Sequence, residues 1–409
     1  MNRRPHEAGQ ETKEAGHSGC LADAIRPFHV MEILARARQL EASGRSILHL
    51  EIGEPDFPTP DPVNAAAIRF LAEGQVRYTP AAGLPELRER IAGYYAERYG
   101  VAVAPQRIFL TPGASGAFSL ALAVALSPGR RVMLADPGYP CYFNFVRLYS
   151  GDPHAVPVGP EQDFHLNAAL CRAHCGGDVP VAISASPSNP TGTVMHAEVL
   201  RELVEWFEAE RGILISDEIY HGLEYGRQSV SALEFGKHAF VVNSFSKYFG
   251  MTGWRLGWVV VPEACAAAVE RVAQNIFISA PTISQYAALA AFSAECRAEL
   301  ERRRRAFEAR RDFLWGELVK LGFGVPVQPS GAFYIYADCS PFTDDSAEFA
   351  ACLLERAGVA VTPGKDFGAQ APERYLRFAY TADIPALREA VERMRSFVAG
   401  SKAGIRMPG

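Results

Sequence analysis

Short apolar runs alternate with helical patterns through the middle of the chain, and most of the runs end in polar residues. Continuous apolar runs of this kind predict buried strands, because a strand covered on both faces needs no polar side. The predicted strands cover residues 107–110, 131–135, 181–184, 212–215, 240–242 and 255–261. Strands that alternate with helices favour an α/β fold with a mostly parallel central sheet flanked by helices. Ligands of such sheets bind beyond the carboxyl ends of the strands, where the polar residues of this chain fall.

The pattern becomes helical beyond residue 262. Residues 298–321 place apolar side chains at helical spacing among Glu and Arg, which predicts one long amphipathic helix. The basic run 301–305 within it would suggest a nucleic-acid patch in isolation, but acidic neighbours on the same helix favour a solvated face. Residues 331–336 predict a further strand.

Composition and charge argue against several classes of function. The chain has 409 residues, with 41 Lys and Arg against 46 Asp and Glu, and a net charge of −5. This mild acidity, without a basic run interleaved with aromatic residues, argues against a nucleic-acid surface. No apolar stretch reaches the length of about 18 residues that a membrane span needs. Residues 1–19 are polar and lack the apolar segment of a secretory signal, so we expect a disordered tail.

The eight cysteines are scattered through predicted helices and strands, a usage that fits reduced thiols in the cytoplasm. Two of them, Cys171 and Cys175, stand close to His174 in a spacing that suggests metal ligands. A structural zinc site needs a second ligand pair at suitable spacing, and the sequence offers none. We therefore predict a cytoplasmic protein without a metal site.

The segment 244–255 carries the most specific chemistry. Lys247 follows Ser244 and Ser246 at the polar end of a predicted strand, and Arg255 comes eight residues later. A lysine amine can form a Schiff base with an aldehyde, whereas serine hydroxyls and a guanidinium can hold a phosphate dianion. Pyridoxal phosphate (PLP) carries both an aldehyde and a phosphate, so we predict it as the cofactor.

Seven other short motifs occur in order along the chain. They are Gly53-Glu54-Pro55, Tyr78-Thr79-Pro80 with Gly83, Gly113-Ala114-Ser115, Pro137-Gly138-Tyr139-Pro140, Ser188-Asn189-Pro190-Thr191-Gly192, Asp217-Glu218-Ile219-Tyr220 and Tyr375-Leu376-Arg377-Phe378. Together with the lysine segment, their order and spacing resemble the class I/II aminotransferases of the aspartate aminotransferase superfamily, which are PLP enzymes of fold type I. Any one motif of this length is weakly specific, but eight in register are strongly so.

The resemblance, which runs from about residue 25 to about residue 395, implies a domain division and an assembly. The expected parts are a disordered tail over 1–20, a segment over 21–50 that joins the small domain or its interface, a large PLP-binding domain over 51–295 and a smaller α+β domain over 296–409. The resemblance also implies a homodimer with shared active sites. In that dimer, Tyr78 would reach the cofactor phosphate of the opposite subunit.

The resemblance further implies a role for each motif around the cofactor. Lys247 forms the Schiff base and then acts as general base, and Asp217 keeps the pyridine nitrogen protonated. Asn189 and Tyr220 are expected to bind the phenolic oxygen of the cofactor. The expected phosphate ligands within one subunit are Gly113, Ala114, Ser115, Ser244, Ser246 and Arg255.

The remaining site residues are expected to hold the cofactor ring and the substrate. Tyr139 is favoured as the aromatic residue stacked on the pyridine ring, and Tyr142, three residues on, is the rival. Arg377 is expected to bind the α-carboxylate of the substrate, because a planar guanidinium matches a carboxylate with two parallel hydrogen bonds. The Gly53 backbone and the Asn189 side chain are expected to assist.

The implied reaction moves an amino group from an L-amino acid to a 2-oxo acid, by a ping-pong mechanism through Lys247. A PLP-dependent carbon–sulfur β-lyase on the same fold is the alternative, since it would use the same lysine. The sequence offers no identifiable second arginine for a side-chain carboxylate, which favours neutral donors. The apolar residues expected to contribute to such a pocket are Phe57, Ile276, Phe277 and Ile278.

Overall fold

The computed structural model describes residues 21–27, 29–177 and 179–401, and the tail predicted over 1–20 lies outside them. The strands are β1 (Leu48–His49), β2 (Ile108–Thr111), β3 (Arg131–Asp136), β4 (Asp152–Pro157), β5 (Val181–Ala185), β6 (Ile213–Asp217), β7 (Phe240–Ser244), β8 (Gly257–Val260), β9 (Tyr334–Asp338), β10 (Val359–Ala360), β11 (Thr362–Pro363) and β12 (Tyr375–Ala379). The α-helices are α1 (His29–Ala42), α2 (Asp61–Ala72), α3 (Pro85–Tyr99), α4 (Gly113–Ala125), α5 (Cys141–Leu148), α6 (Ala168–His174), α7 (Ala197–Ala209), α8 (Ala266–Ile276), α9 (Thr282–Ala288), α10 (Ala294–Leu321), α11 (Ser346–Cys352) and α12 (Ile384–Ser401).

Seven strands form the main sheet, in the order β2-β8-β7-β6-β5-β3-β4. Strand β8 runs antiparallel to both of its neighbours, and the other pairs are parallel. Successive side chains of a strand point to opposite faces, so Val241 packs into one helix-covered core and Val242 into the other. The predicted α/β fold with a mostly parallel central sheet is confirmed.

Strand β4 is the member of this sheet that the apolar pattern does not predict. Its residues include Pro153 and Pro157, which interrupt a β pattern because proline cannot donate to the ladder. The strand lies at the edge of the sheet next to β3, where a missing donor is tolerated.

A second core surrounds the three-stranded antiparallel sheet β11-β12-β9. Helices α10 and α12 contribute apolar residues to this core, among them Phe307 and Leu314 from α10 and Val391 from α12. The long helix predicted over 298–321 is α10, and it begins four residues earlier. Helix α1 packs near the short parallel pair β1–β10, with Ala37 in the shared apolar cluster.

The basic run of α10 is only partly solvated. Arg302 is exposed, but Arg303 is 7% exposed and donates to the Pro58 carbonyl at 2.6 Å. Arg310 and Arg311, further along the helix, are buried to a similar degree. The prediction of a solvated face is therefore wrong for Arg303. Its guanidinium satisfies a carbonyl of a loop distant in sequence, which neighbours along the helix cannot reveal.

Across residues 21–27, 29–177 and 179–401, no helix is long and apolar enough to cross a membrane. In the same ranges, no group of three or more His, Cys, Asp or Glu side chains is arranged to hold a metal ion. The seven cysteines in those ranges form no disulfide.

Candidate active site

Polar residues that follow five parallel strands meet in one cavity. Strands β2, β3, β5, β6 and β7 run in the same direction, so their carboxyl ends lie at one edge of the sheet. A cavity of about 330 Å³ lies there, and α1 and the three-stranded sheet contribute to its walls. The predicted site residues that line it are Gly53, Ala114, Ser115, Tyr139, Asn189, Asp217, Tyr220, Ser246, Lys247, Arg255 and Arg377.

Lys247 follows β7 and is partly buried in the cavity wall. Its Nζ donates a hydrogen bond to the Gly53 carbonyl at 2.6 Å and lies 5.6 Å from the centroid of the Phe333 ring. Burial lowers the pKa of this amine to about 8, and the positive charges of Arg377 and Arg255 add to the effect while acidic neighbours oppose it. The amine is therefore partly unprotonated near neutral pH, as nucleophilic attack on a carbonyl requires.

Asp217 ends β6 and is 4% exposed. The Tyr142 hydroxyl donates to its Oδ2, and the backbone N–H of Ile219 donates to Oδ1 at 3.1 Å. Burial raises the pKa of the carboxyl to about 6, and these two hydrogen bonds oppose the rise. The carboxyl is thus mostly ionised at neutral pH and can stabilise a neighbouring cation.

The two candidate stacking tyrosines differ in their exposure and in their hydrogen bonds. Both tyrosines line the cavity, but Tyr142 is buried and its hydroxyl donates to Asp217, whereas Tyr139 is partly exposed. The two rings meet edge to face, with centroids 5.2 Å apart. This arrangement favours Tyr139 as the aromatic wall and gives Tyr142 a role as hydrogen-bond donor to the carboxylate.

The amino end of α4 offers a place for an anion. Backbone N–H groups in the first turn of a helix lack intrahelical partners and carry partial positive charge. Gly113 has φ of +70°, and a Cβ there would lie 2.3 Å from Arg255 Nη2, so glycine lets the guanidinium approach the helix end. The hydroxyl-bearing residues Ser115 and Ser246 line the same cavity. These donors together suit a phosphate.

Three of the predicted phosphate ligands, Gly113, Ser244 and Tyr78, are not among the residues that line the cavity. Ser244 is 1% exposed, and its hydroxyl donates to the Leu256 carbonyl at 3.0 Å. The N–H of Ser246 donates to Ser244 Oγ at 3.1 Å, so Ser244 shapes the turn that leads to Lys247. Tyr78 is 80% exposed and lies outside the cavity of its own chain.

Arg377 on β12 is 3% exposed and lies in the cavity wall. Its Nη1 donates to Asn189 Oδ1 at 2.9 Å, and its Nη2 donates to the Glu51 carbonyl at 2.6 Å. The peptide bond between Asn189 and Pro190 is cis. The Nε of Arg377 is buried without a hydrogen-bond partner among the described residues. A buried cation with an unsatisfied donor is the arrangement that an anionic ligand group would complete.

Tyr220 and Tyr334 form a hydrogen-bonded pair in the cavity wall. Their hydroxyl oxygens are 2.9 Å apart, and both side chains are buried. A Cβ at residue 53 would lie 2.0 Å from Tyr334 Oη, so glycine is required where the backbone approaches this tyrosine. Tyr334 falls within a predicted strand, but nothing in the apolar pattern marks it as a site residue. Only the pairing of β9 with β12 brings it beside the cavity.

The apolar residues expected in a substrate pocket lie elsewhere in this chain. Phe57 lies against the Arg310 guanidinium, 4.8 Å from ring centroid to Cζ, and Phe277 packs against the core of the main sheet. Ile276 and Ile278 are 49% and 53% exposed. That expectation is wrong for the cavity of one chain. The larger aliphatic and phenylalanine side chains that do line it are Val30, Met31, Leu34, Ile52, Phe118, Phe145 and Ile219.

Comparison with known proteins agrees with this geometry. Residues 45–394 match the family model described as aminotransferase class I and II. The chain is 38% identical to valine–pyruvate aminotransferase of Mycobacterium tuberculosis, over 92% of this chain and 98% of the relative. It is 36% identical to aspartate/prephenate aminotransferase of Thermus thermophilus, over 90% of this chain and 96% of the relative.

A solved structure shows the same fold. The crystal structure of an aminotransferase from Mycobacterium tuberculosis matches with a TM-score of 0.89 and 37% identity, over 93% of this chain and 99% of that one. Family model, relatives and fold agree over nearly the whole described chain. The chain therefore belongs to the class I and II aminotransferase family and is an aminotransferase.

Proposed function

We propose that this aminotransferase binds PLP in the cavity around Lys247 and passes the amino group of L-amino acids with neutral side chains to 2-oxo acids by a ping-pong mechanism. One observation carries the proposal. An amine with a pKa of about 8, a buried carboxylate and a buried guanidinium with an unsatisfied donor line the same cavity. These groups are Lys247, Asp217 and Arg377.

The donor set of the cavity fits this cofactor. Lys247 supplies an amine for the aldehyde, and Asp217 supplies a carboxylate for the ring nitrogen. The amino end of α4, with Arg255 beside Gly113, supplies the charge for a phosphate. When bound, PLP would supply the electron sink that weakens the bond from the substrate Cα to its hydrogen.

The chain's own residues would move the proton and orient the substrate. The Lys247 amine would take the proton from the substrate Cα and deliver it to the carbon that had carried the cofactor aldehyde, and a pKa near 8 suits both steps. Arg377 and Asn189 would hold the α-carboxylate, which fixes the direction of the Cα–H bond. Asp217 would stabilise positive charge on the ring nitrogen above pH of about 6.

The charges of the cavity support neutral amino donors. The cations among its described lining residues are Lys247, Arg255 and Arg377, and each already has a proposed role. A side-chain carboxylate would therefore enter without a partner in this chain, at a cost in desolvation. The relatives are named for different substrates, valine in one case and aspartate or prephenate in the other. The apolar side chains that α1 contributes to the cavity wall favour a neutral donor such as valine.

We also propose a homodimer with shared sites. Six large apolar side chains are exposed to solvent in two regions of the chain. Four belong to α2 and the segment after it, and two lie at or just after the end of α8. They are Ile68, Leu71, Val76, Tyr78, Ile276 and Ile278. Thr282 Oγ1 donates to the Arg77 carbonyl at 2.8 Å, which holds the segment after α2 against the start of α9. Exposed apolar side chains grouped in this way support an interface, and a dimer would explain why Tyr78 lies outside its own cavity.

We also propose that the chain has a large domain and a small domain, with the bounds that the sequence predicts. The main sheet with its two cores supports a large domain over 51–295, and the core around β9, β11 and β12 supports a small domain over 296–409. Segment 21–50 would join the small part through the pairing of β1 with β10. The absence of disulfides among the seven described cysteines supports a cytoplasmic location.

The proposal is tested by single-turnover assays on the PLP-loaded protein and on Lys247→Ala. We expect the wild type to release a 2-oxo acid from valine-like donors and to regain its starting absorbance when a second oxo acid is added. The variant should fold and hold PLP, but amino transfer should fall by about 10³-fold or more, because the general base and the covalent link are both lost. Normal transfer by the variant would contradict the role given to Lys247.

The same assay separates amino transfer from the lyase alternative. A carbon–sulfur β-lyase would release pyruvate and ammonia from thioether amino acids such as cystathionine without any acceptor. The relatives above are named aminotransferases, which supports amino transfer. Pyruvate release without an acceptor, together with inactivity toward valine-like donors, would contradict the proposal.

A further inference from the structure

The loop that carries Gly53 must be placed accurately. The Gly53 carbonyl accepts a hydrogen bond from Lys247 Nζ at 2.6 Å, and its Cα lies against Tyr334 too closely for any side chain. Gly53 itself has no side chain to hold it in place. Its position must therefore come from the residues on either side of it.

Those flanking residues converge on one arginine of α10. Three residues after Gly53, Asp56 forms a bidentate ion pair with Arg310, with Nη1–Oδ1 at 2.7 Å and Nη2–Oδ2 at 2.9 Å. Arg310 Nη1 also donates to the Thr381 carbonyl at 2.6 Å. On the other side of Gly53, Thr381 Oγ1 donates to the Ile52 carbonyl at 3.4 Å. A single guanidinium thus connects, directly or through Thr381, to both sides of Gly53.

The environment of Arg310 makes this connection rigid. The residue is 6% exposed, and its guanidinium lies 4.8 Å from the Phe57 ring centroid and 5.2 Å from that of Phe307. A planar guanidinium held between rings and paired through two hydrogen bonds has little freedom, and lysine cannot reproduce the fork. The Asp56 side chain remains 37% exposed, so it can be changed without opening a cavity in the core.

We propose that Arg310 and Asp56 are a positioning pair for the amino-transfer reaction. They touch neither substrate nor cofactor, and act by fixing the Gly53 backbone beside Lys247 and the carboxylate-binding Arg377. The inference rests on the proposed function, since it assumes that the substrate's α-carboxylate binds next to Gly53. The proposal gives a role to Arg310, a buried arginine that lies on the same helix as the basic run 301–305.

The test uses the PLP-loaded dimer and four variants. Asp56→Asn keeps the size of the side chain but removes its charge, and Arg310→Lys keeps the charge but removes the fork. The third variant combines the two substitutions. The control is Glu308→Gln on the same helix, because Glu308 is also a partly exposed carboxylate, 33% exposed, and pairs with Arg304 and not with the Gly53 loop.

Three quantities are measured for each protein: KM and kcat for an amino donor, the Kd of an α-methyl amino acid, and the urea midpoint of unfolding. An α-methyl amino acid has no Cα hydrogen to lose, so its Kd reports binding geometry without turnover. We expect Asp56→Asn and Arg310→Lys each to raise KM and this Kd about tenfold, with kcat changed by less than about threefold. The double variant should have a KM and a Kd no higher than those of the more impaired single variant, because both substitutions break the same ion pair.

The outcomes distinguish an effect on the position of the Gly53 loop from a general loss of protein stability. A raised Kd in Asp56→Asn, with a urea midpoint equal to that of the Glu308→Gln control, supports the proposal. Unchanged KM and Kd in Asp56→Asn, or effects of the two single variants that multiply, would overturn it. A wild-type protein that binds the analogue but transfers no amino group contradicts the proposed function, while the Kd series still tests the positioning pair.

Discussion

At the scale of the residue, the proposed binding of the substrate carboxylate depends most on Arg377. Its guanidinium is anchored by Asn189 and the Glu51 carbonyl, and its Nε has no partner among the described residues. Arg377→Ala should raise the KM of every amino donor by roughly 30- to 1,000-fold, since losing a buried charged partner costs about 2–4 kcal/mol. The visible absorbance of bound PLP should stay the same.

The control for this substitution is Arg374→Ala, which changes an arginine directly before the start of β12. Arg374 is exposed and pairs with Asp338, so its loss should leave KM unchanged. Steady-state kinetics with several donors measure both variants. If Arg377→Ala released PLP while binding donors normally, Arg377 would have to be reassigned to the cofactor.

The hydroxyl group of Tyr142 affects the pKa of Asp217. It donates to the ionised Asp217 carboxylate and so opposes the rise in pKa that burial causes. Tyr142→Phe should therefore raise the pKa of Asp217 further, and the acid limb of the kcat/KM profile should move to higher pH. The pH profile is compared with that of Tyr149→Phe, a tyrosine beyond the end of the same helix. An acid limb that does not move would contradict the role of Tyr142.

At the scale of the element, strand β6 holds a carboxyl group in a position that costs stability. Burial raises the pKa of Asp217 from 3.8 to about 6, so between these values the folded chain binds more protons than the unfolded chain. The stability contributed by the protonated carboxyl is therefore lost as pH rises through this range, by about 3 kcal/mol in total. Asp217→Asn has no charge to bury.

Urea unfolding of the cofactor-free proteins at pH 5 and pH 8 tests this cost. The free energy of unfolding of Asp217→Asn relative to wild type should be higher at pH 8 than at pH 5 by roughly 1–2 kcal/mol. Ile213→Val, at the start of β6, provides a control that removes neither a charge nor a hydrogen bond from the same strand. A pH-independent difference between Asp217→Asn and wild type would show that Asp217 is not desolvated in the folded chain.

The strand ends explain how much the sequence could predict. Apolar runs locate β5, β6 and β7, and parallel strands place Asn189, Asp217 and Lys247 at one edge, so the motif order is enough to bring them together. Tyr334 and the Arg310–Asp56 pair depend on how β9, β12 and α10 pack, and such contacts between distant segments leave no periodic signal.

At the scale of the whole molecule, the apolar patch around α2 should be covered by a second chain. The wild type should sediment at about twice the monomer mass of 44.6 kDa. Leu71→Asp introduces a charge at a position that is 49% exposed in the single chain, so it should yield a folded monomer that has lost most activity because Tyr78 no longer reaches a partner. The control is Val319→Asp on α10, which is equally exposed. Sedimentation velocity that shows a monomeric, fully active wild type would contradict shared sites.

We propose that Lys247 is the residue that binds the cofactor covalently. The most direct measurement is to load the protein with PLP, reduce it with borohydride, digest it and locate the modified residue by mass spectrometry. Borohydride reduces a carbon–nitrogen double bond to a stable single bond, so the label stays on the lysine that formed it. We expect one pyridoxyl group per chain, on Lys247. A label on a different lysine, or no label on a protein that still transfers amino groups, would contradict it.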